Sequence, residues 1–244
     1  MKDLRAVVLD FGGTLDSEGK HWSTQFAESF AAAGVEVPRP DLNAAFVAVD
    51  RAVAEDLRSA TMTLEDYVVE YATQMLGRVA DDRIGCAARV ADHFLREARA
   101  HLRKNCALLV RYRDRFRFAI VSNFTANLPL ILEEAGLGQA VDNVVCSALV
   151  GVRKPETAIF RLALDRLNLE AAESAMIGDS LGNDIVPAKA LGMTTVWLHG
   201  DEGFNGGQLS SADHVVSRLA DALAILSLRP LASSDRQQAE GRNP

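Results

Sequence analysis

The stretch Val7–Ser17, VVLDFGGTLDS, joins an apolar run to an aspartate, a glycine pair and a threonine. Residues 4–10 are almost continuously apolar, as a strand buried on both faces of a parallel sheet requires. Asp10 ends that run. A carboxylate closing a buried strand carries a desolvation cost unless it is paired or holds a metal, which makes Asp10 a functional candidate. Gly12 and Gly13 then provide a tight exit whose backbone N–H groups can approach a phosphate.

Beyond this stretch the periodicity changes. From His21 to Arg103 it is helical throughout. Gly34, Pro38 and Pro40 end the first helix, and Leu42, Ala45, Phe46 and Val49 form the apolar face of the second. TLEDYVVEYATQML opens with Thr63 as a helix cap and carries Glu65 and Asp66 in its first turn. A fourth helix is expected over Asp81–Leu102. Beyond it, the runs FRFAIVSN, NVVCSA, SAMIGD and MTTVWLHG alternate with helical segments near 126–136, 155–167, 182–191 and 217–227. That alternation predicts an α/β fold, a Rossmann-like doubly wound parallel sheet, with an all-helical domain inserted after the first strand. The expected division is a core of residues 1–17 and 104–228, a helical cap of 18–103, and a poorly ordered polar tail of 229–244.

Composition narrows the function classes. The net charge of −7 argues against a general nucleic-acid or anionic-membrane binder. RYRDRFRF, Arg111–Phe118, reads as a solvated helix end entering a strand whose apolar residues are Phe116, Phe118 and Ile120. No run approaches the ~18 apolar residues of a membrane helix, and the chain enters its first strand directly after MKD, so no targeting signal is expected. Three cysteines without metal-ligand spacing fit a reduced, cytoplasmic compartment. Oligomeric state is left open.

In a parallel sheet the carboxyl ends of the strands share one edge, where ligands bind. Asp10 follows AVVL, Ser122 follows FAIV and Asp179 follows AMIG, so three distant segments deliver polar groups to one crevice. Pro155 suits the first position of a helix, which would set Lys154 at its positive end. Asp184 follows Asp179 by five residues, where a loop turns into a helix. Convergent carboxylates repel unless a cation joins them, and Mg²⁺ binds through such groups together with substrate phosphate. A carboxylate beside Mg²⁺ and a lysine can attack phosphorus, while Ser122 and the glycine-turn N–H groups hold the phosphoryl oxygens.

DFGGTLD, VSN, RKPE and GDSLGND, in that order, resemble the four motifs of the haloacid dehalogenase-like (HAD) hydrolase superfamily over Leu4–Leu228. The resemblance implies a Rossmann-like core with a helical C1-type cap. It implies Asp10 as nucleophile, the Gly12 carbonyl as a Mg²⁺ ligand, Ser122 and Lys154 as phosphate-binding groups, and Asp179 and Asp184 as metal ligands. Expected substrate contacts are Gly13, Thr14, Asn123, Asp16 and His21. For His21 and its neighbour Trp22, packing of the cap is the competing role. The implied activity is hydrolysis of a small phosphorylated metabolite.

Gly12 departs from the pattern, because phosphatases of this family usually carry an acid–base aspartate there. General acid–base help is worth typically 10²–10⁴ in rate. Four consequences stay open: a substrate with a good or self-protonating leaving group; a substitute acid such as Asp16 or Glu18; a carbon-centred reaction such as metal-free dehalogenation; and a catalytically weak protein that binds a phosphorylated ligand or a partner.

Overall fold

The computed structural model describes residues 3–200 and 211–228; the polar tail at 229–244 lies outside them. Six parallel strands form one sheet: β1 (Ala6–Leu9), β2 (Arg117–Ser122), β3 (Asn143–Cys146), β4 (Ser174–Gly178), β5 (Thr194–Leu198) and β6 (His214–Val216), in the order β3-β2-β1-β4-β5-β6. Strands two to five fall inside the expected apolar runs. β6 was not expected: its three residues are only half-buried, too short and too wet to leave a pattern.

Side chains alternate across the sheet with the period of two that extended backbone imposes. Val7 and Leu9 face one apolar cluster with Phe118, Ile120, Ile177 and Val196, while Ala6 and Val8 face the other with Ala119, Val121 and Met176. β1 is therefore buried on both faces, which explains its unbroken apolar sequence.

Four helices intervene between β1 and β2: α1 (Trp22–Ala32), α2 (Arg39–Glu55), α3 (Leu64–Val79) and α4 (Ala87–Tyr112). Thr63 caps α3 by accepting from the Asp66 N–H, with Glu65 and Asp66 in the first turn as the sequence predicts. α4 runs well past the expected end at Leu102. It holds no proline or glycine, and its buried stripe continues from Leu102 through Asn105 to Leu109, so nothing stops the helix between the inserted helices and the sheet. Their apolar interior is continuous with one face of the sheet through Phe11 and Trp22.

After β2 come α5 (Leu128–Glu134), α6 (Ser147–Val150), α7 (Thr157–Leu167), α8 (Val186–Ala190) and α9 (Leu219–Ser227). α7 begins two residues later than Pro155 suggests. The Glu156 N–H bonds to the Arg153 carbonyl, so 153–156 close a turn and Glu156 becomes the cap. Among the described residues, no helix is long and apolar enough to cross a membrane.

Candidate active site

Register places the chemistry. Leu9 pairs with Ile120 on one side and Ile177 on the other, so the residues following all three strands emerge at one edge. There Asp10, Gly12, Ser122, Asn123, Lys154, Asp179 and His21 line a single cavity of ≈ 560 Å³, a size suited to a small ligand. Asp184 is fully buried behind this wall.

Lys154 organises the charge. Its Nζ lies 2.7 Å from Asp10 Oδ1 and 2.7 Å from Asp184 Oδ1, with the side chain 3% exposed. Burial alone would push the lysine pKa down; the two carboxylates overcome that and hold it above the ordinary range. The lysine is placed by the turn at 153–156 and by Asn123, not by a helix end. Asn123 donates from Nδ2 to the Lys154 carbonyl (2.9 Å) and accepts the Lys154 N–H at Oδ1 (2.8 Å). Asn123, expected as a substrate contact, thus clamps the backbone that carries the lysine.

The acidic side of the site is crowded. One carboxylate oxygen each from Asp10, Asp179 and Asp184 come within 4.8 Å of one another. Burial pushes Asp179 well above the usual carboxylate range, and repulsion from Asp10 and Asp184 adds to it. Asp184 is pushed up to about 6, by burial first, with Lys154 pulling down and Asp10 pushing up. Asp184 sits in a single π-turn, Leu181–Ile185, and its Oδ2 accepts the Ser180 N–H at 3.0 Å. Two glycines make room. A Cβ on Gly178 would run into the Asp184 carboxylate, and one on Gly13 into that of Asp179. Gly13 also has φ of +88°, which other residues rarely adopt. Gly13 and Thr14, expected as substrate contacts, are not part of the cavity wall. Thr14 is fully buried in the turn, its N–H bonded to the Phe11 carbonyl.

Asp16 is also absent from the wall. It is buried, with Oδ1 accepting from the Gly13 N–H at 2.7 Å and Oδ2 from the Trp22 indole N–H. Burial raises its pKa to about 7, partly offset by those two bonds. With both oxygens held away from the cavity, Asp16 is not placed to serve a leaving group. Glu18 is absent from the wall too and pairs with Lys104. The Trp22 ring meanwhile packs against residue 12: a Cβ on Gly12 would stand 3.1 Å from Nε1 and 3.3 Å from Cδ1. The indole occupies the space a side chain at 12 needs.

His21 lines the cavity and also caps α1, its Nδ1 accepting from the Ser23 N–H. Burial lowers its pKa from the ordinary histidine value, so the ring is neutral near pH 7. Sequence reasoning missed the rest of this wall. Phe46, Asp50 and Ala54 stand four apart on α2, share one face and line the cavity with Tyr67 and Tyr71. The available signal was an acid bordering an apolar stripe at helical spacing.

Comparison with known proteins identifies the family and the fold. The model of the haloacid dehalogenase-like hydrolases matches residues 4–192. Haloacid dehalogenase-like hydrolase domain-containing protein 3 of Mus musculus is 35% identical over 119 residues, 48% of this chain and 47% of that protein. Ribulose-1,5-bisphosphate 5-phosphatase of Halopiger xanaduensis is 34% identical over 117 residues, 45% of this chain and 49% of that protein. The chain thus matches about half the length of these relatives. Among solved structures, a dehalogenase aligns over 94% of this chain and 100% of its own with a TM-score of 0.64 at 18% identity. The magnesium-bound HAD-hydrolase YfnB of Bacillus subtilis aligns over 93% and 100% with a TM-score of 0.57 at 19% identity; at such identities the likeness concerns the fold. Sheet order, inserted helices and the family match lead to one assignment: the chain belongs to the haloacid dehalogenase-like hydrolases.

Proposed function

We propose that the chain is a Mg²⁺-dependent phosphohydrolase acting on a small phosphorylated metabolite, with Asp10 as nucleophile. The observation that carries this reading is the approach of Asp10, Asp179 and Asp184 to within 4.8 Å around a single lysine. Three carboxylates against one ammonium group leave an excess of negative charge in a buried place; burial raises the pKa values of Asp179 and Asp184, and repulsion from Asp10 adds to it. A hard, oxygen-liganded cation fits that donor set. Asp10, Asp179, Asp184 and the Gly12 carbonyl would hold it, and when bound it offsets charge on the carboxylates and on substrate phosphate. Metal-free halide displacement has no use for three such carboxylates, which favours the phosphate ester.

The Asp10 carboxylate is oriented by two contacts to Oδ1, from the Phe11 N–H (2.7 Å) and Lys154 Nζ. Oδ2 is the oxygen that attacks phosphorus. A bond forms from Asp10 to phosphorus while the ester P–O bond breaks, and the leaving oxygen takes up a proton. Water then attacks phosphorus, releasing inorganic phosphate and restoring Asp10. Lys154 and Ser122 stabilise charge on the transferring group. With no side chain at 12 and Asp16 held by Trp22, the departing oxygen takes its proton from solvent or from the substrate itself, which favours esters whose alcohol leaves readily.

Phosphate release from p-nitrophenyl phosphate and a panel of phosphate esters, with and without Mg²⁺, tests the proposal. Asp10→Asn should lower turnover by at least about 10³, and chelator should abolish it. Undiminished hydrolysis in excess chelator, or in the Asp10 variant, overturns the reading.

A further inference from the structure

The cavity has two unlike ends. Its cationic side chains, Arg153 and Lys154, both come from the sheet side. The inserted helices contribute aromatic rings, the neutral His21 and one carboxylate, Asp50. Asp50 stands between Phe46 and Ala54 on the cavity face of α2. Its Oδ1 accepts a hydrogen bond from the Tyr71 hydroxyl at 2.6 Å, and among the described residues that is its one hydrogen bond. Burial raises the Tyr71 pKa, so this hydroxyl stays protonated and keeps donating. The second carboxylate oxygen is left for something else, and the Asp50 side chain is exposed towards the cavity.

A carboxylate fixed on an aromatic wall recognises a cation. Ring faces and carboxylate both attract an ammonium group, whereas a second phosphate or a carboxylate on the substrate would meet repulsion with no helical-side cation to offset it. Building on the phosphohydrolase reading, we infer that Asp50 and the rings of Phe46, Tyr67 and Tyr71 select phosphate esters whose alcohol carries a positively charged ammonium group. Such a substrate is zwitterionic: its phosphate faces Lys154 and the sheet edge, and its cation faces α2. Asp50 is then a specificity-determining residue, touching the leaving group at the end remote from phosphorus.

Three esters of similar size separate charge from shape: phosphocholine, its uncharged carbon isostere 3,3-dimethylbutyl phosphate, and glycerol 1-phosphate as a neutral hydrogen-bond donor. Choline also leaves more readily than the isosteric alcohol, so the diagnostic is the change in the ratio: the wild type should favour phosphocholine over the isostere in kcat/KM, and Asp50→Asn should lower that preference by about tenfold. A wild-type ratio near one, a ratio unmoved in Asp50→Asn, or a preference for glycerol 1-phosphate over phosphocholine each overturns the inference. Calorimetric binding of the same esters to Asp10→Asn makes the comparison without turnover. Hydrolysis of p-nitrophenyl phosphate without charge preference defeats this inference alone. Selective binding of phosphocholine without hydrolysis of any ester by the wild type defeats the phosphohydrolase reading alone.

Discussion

At the sheet edge three carboxylates crowd one ammonium group; on the helical wall facing the same cavity, four aromatic rings accompany a single carboxylate. Both regions spend stability on polar groups near an apolar interior, but in opposite currencies. The edge buries net charge and depends on Lys154 to hold it. The helical wall buries rings against one another, with Trp22 packed against Phe26, Tyr67, Tyr71, Phe94 and Phe124. On the proposed reading, reaction chemistry sits where electrostatics is tight, and selection sits where packing is tight.

The sharpest way to break this contrast is Lys154→Met. It leaves Asp10 and Asp184 in a buried site without their cation, and removing one partner from such a cluster costs about 3–5 kcal/mol. Turnover should fall by about 10²–10³ as well, the usual scale for a lost charge-stabilising group. Urea denaturation and phosphate release measure the two losses. A variant of unchanged stability would mean that the edge is held by packing, as the helical wall is.

The next test lies on the border between the regions, at Asp16. Its folded pKa of about 7 stands above the ordinary aspartate value of 3.8, because burial outweighs the Gly13 and Trp22 hydrogen bonds. The folded protein therefore keeps a proton that the unfolded chain releases from about pH 4 upward. By linkage, stability from this group is fully present below pH 4, declines as pH rises to about 7, and is flat above. The decline amounts to at most roughly 4 kcal/mol at 1.36 kcal/mol per unit. Asp16→Asn cannot titrate, so the difference in unfolding free energy between wild type and variant should shrink or reverse over that window. Denaturation curves at pH 4, 5.5, 7 and 8 follow it. A difference constant with pH would show that Asp16 is ionised in the fold and belongs electrostatically with Asp10.

The two regions also differ in how legible they were. Asp10, Ser122 and Asp179 could be placed from sequence because a parallel strand ends at a definite edge, and an apolar run shows where it ends. Lys154 was found by its motif, but its support was misread: Pro155 suggested a helix start, whereas a turn and the Asn123 clamp do the placing. The helical wall was hidden. Helical periodicity gives the apolar stripe Leu42, Ala45, Phe46 and Val49 on α2, which the structure extends to Val53, yet it cannot say whether the residue beside that stripe meets solvent or a cavity. Asp50 became visible only once α2 was set over the sheet edge. Asp16 was misplaced for a related reason: four residues after Gly12 is near in sequence, but the turn closes on itself through the Gly13 N–H and buries the carboxylate.

The smallest expected effect concerns Gly12 and Trp22, and its sign is the informative part. Gly12 has no positive φ, so alanine fits its backbone. Loss of chain entropy in the unfolded state should then stabilise Gly12→Ala by about 0.4–1 kcal/mol. The new methyl group, however, would stand 3.1 Å from Trp22 Nε1. The ring has little room to retreat, since its N–H is bonded to Asp16 and its other sides meet Phe94 at 4.9 Å and Phe124 at 5.6 Å between ring centroids. Overpacking of this kind costs typically about 1–3 kcal/mol, so Gly12→Ala should destabilise the wild type by about 1 kcal/mol. In a Trp22→Phe background the indole nitrogen is gone and the ring is smaller, and the same substitution should become neutral or stabilising. A double-mutant cycle in urea reads the coupling directly, with at least about 0.5 kcal/mol expected for residues in contact. Additive effects would mean that the indole does not exclude a side chain at 12, and the glycine would then need a chemical explanation instead of a steric one.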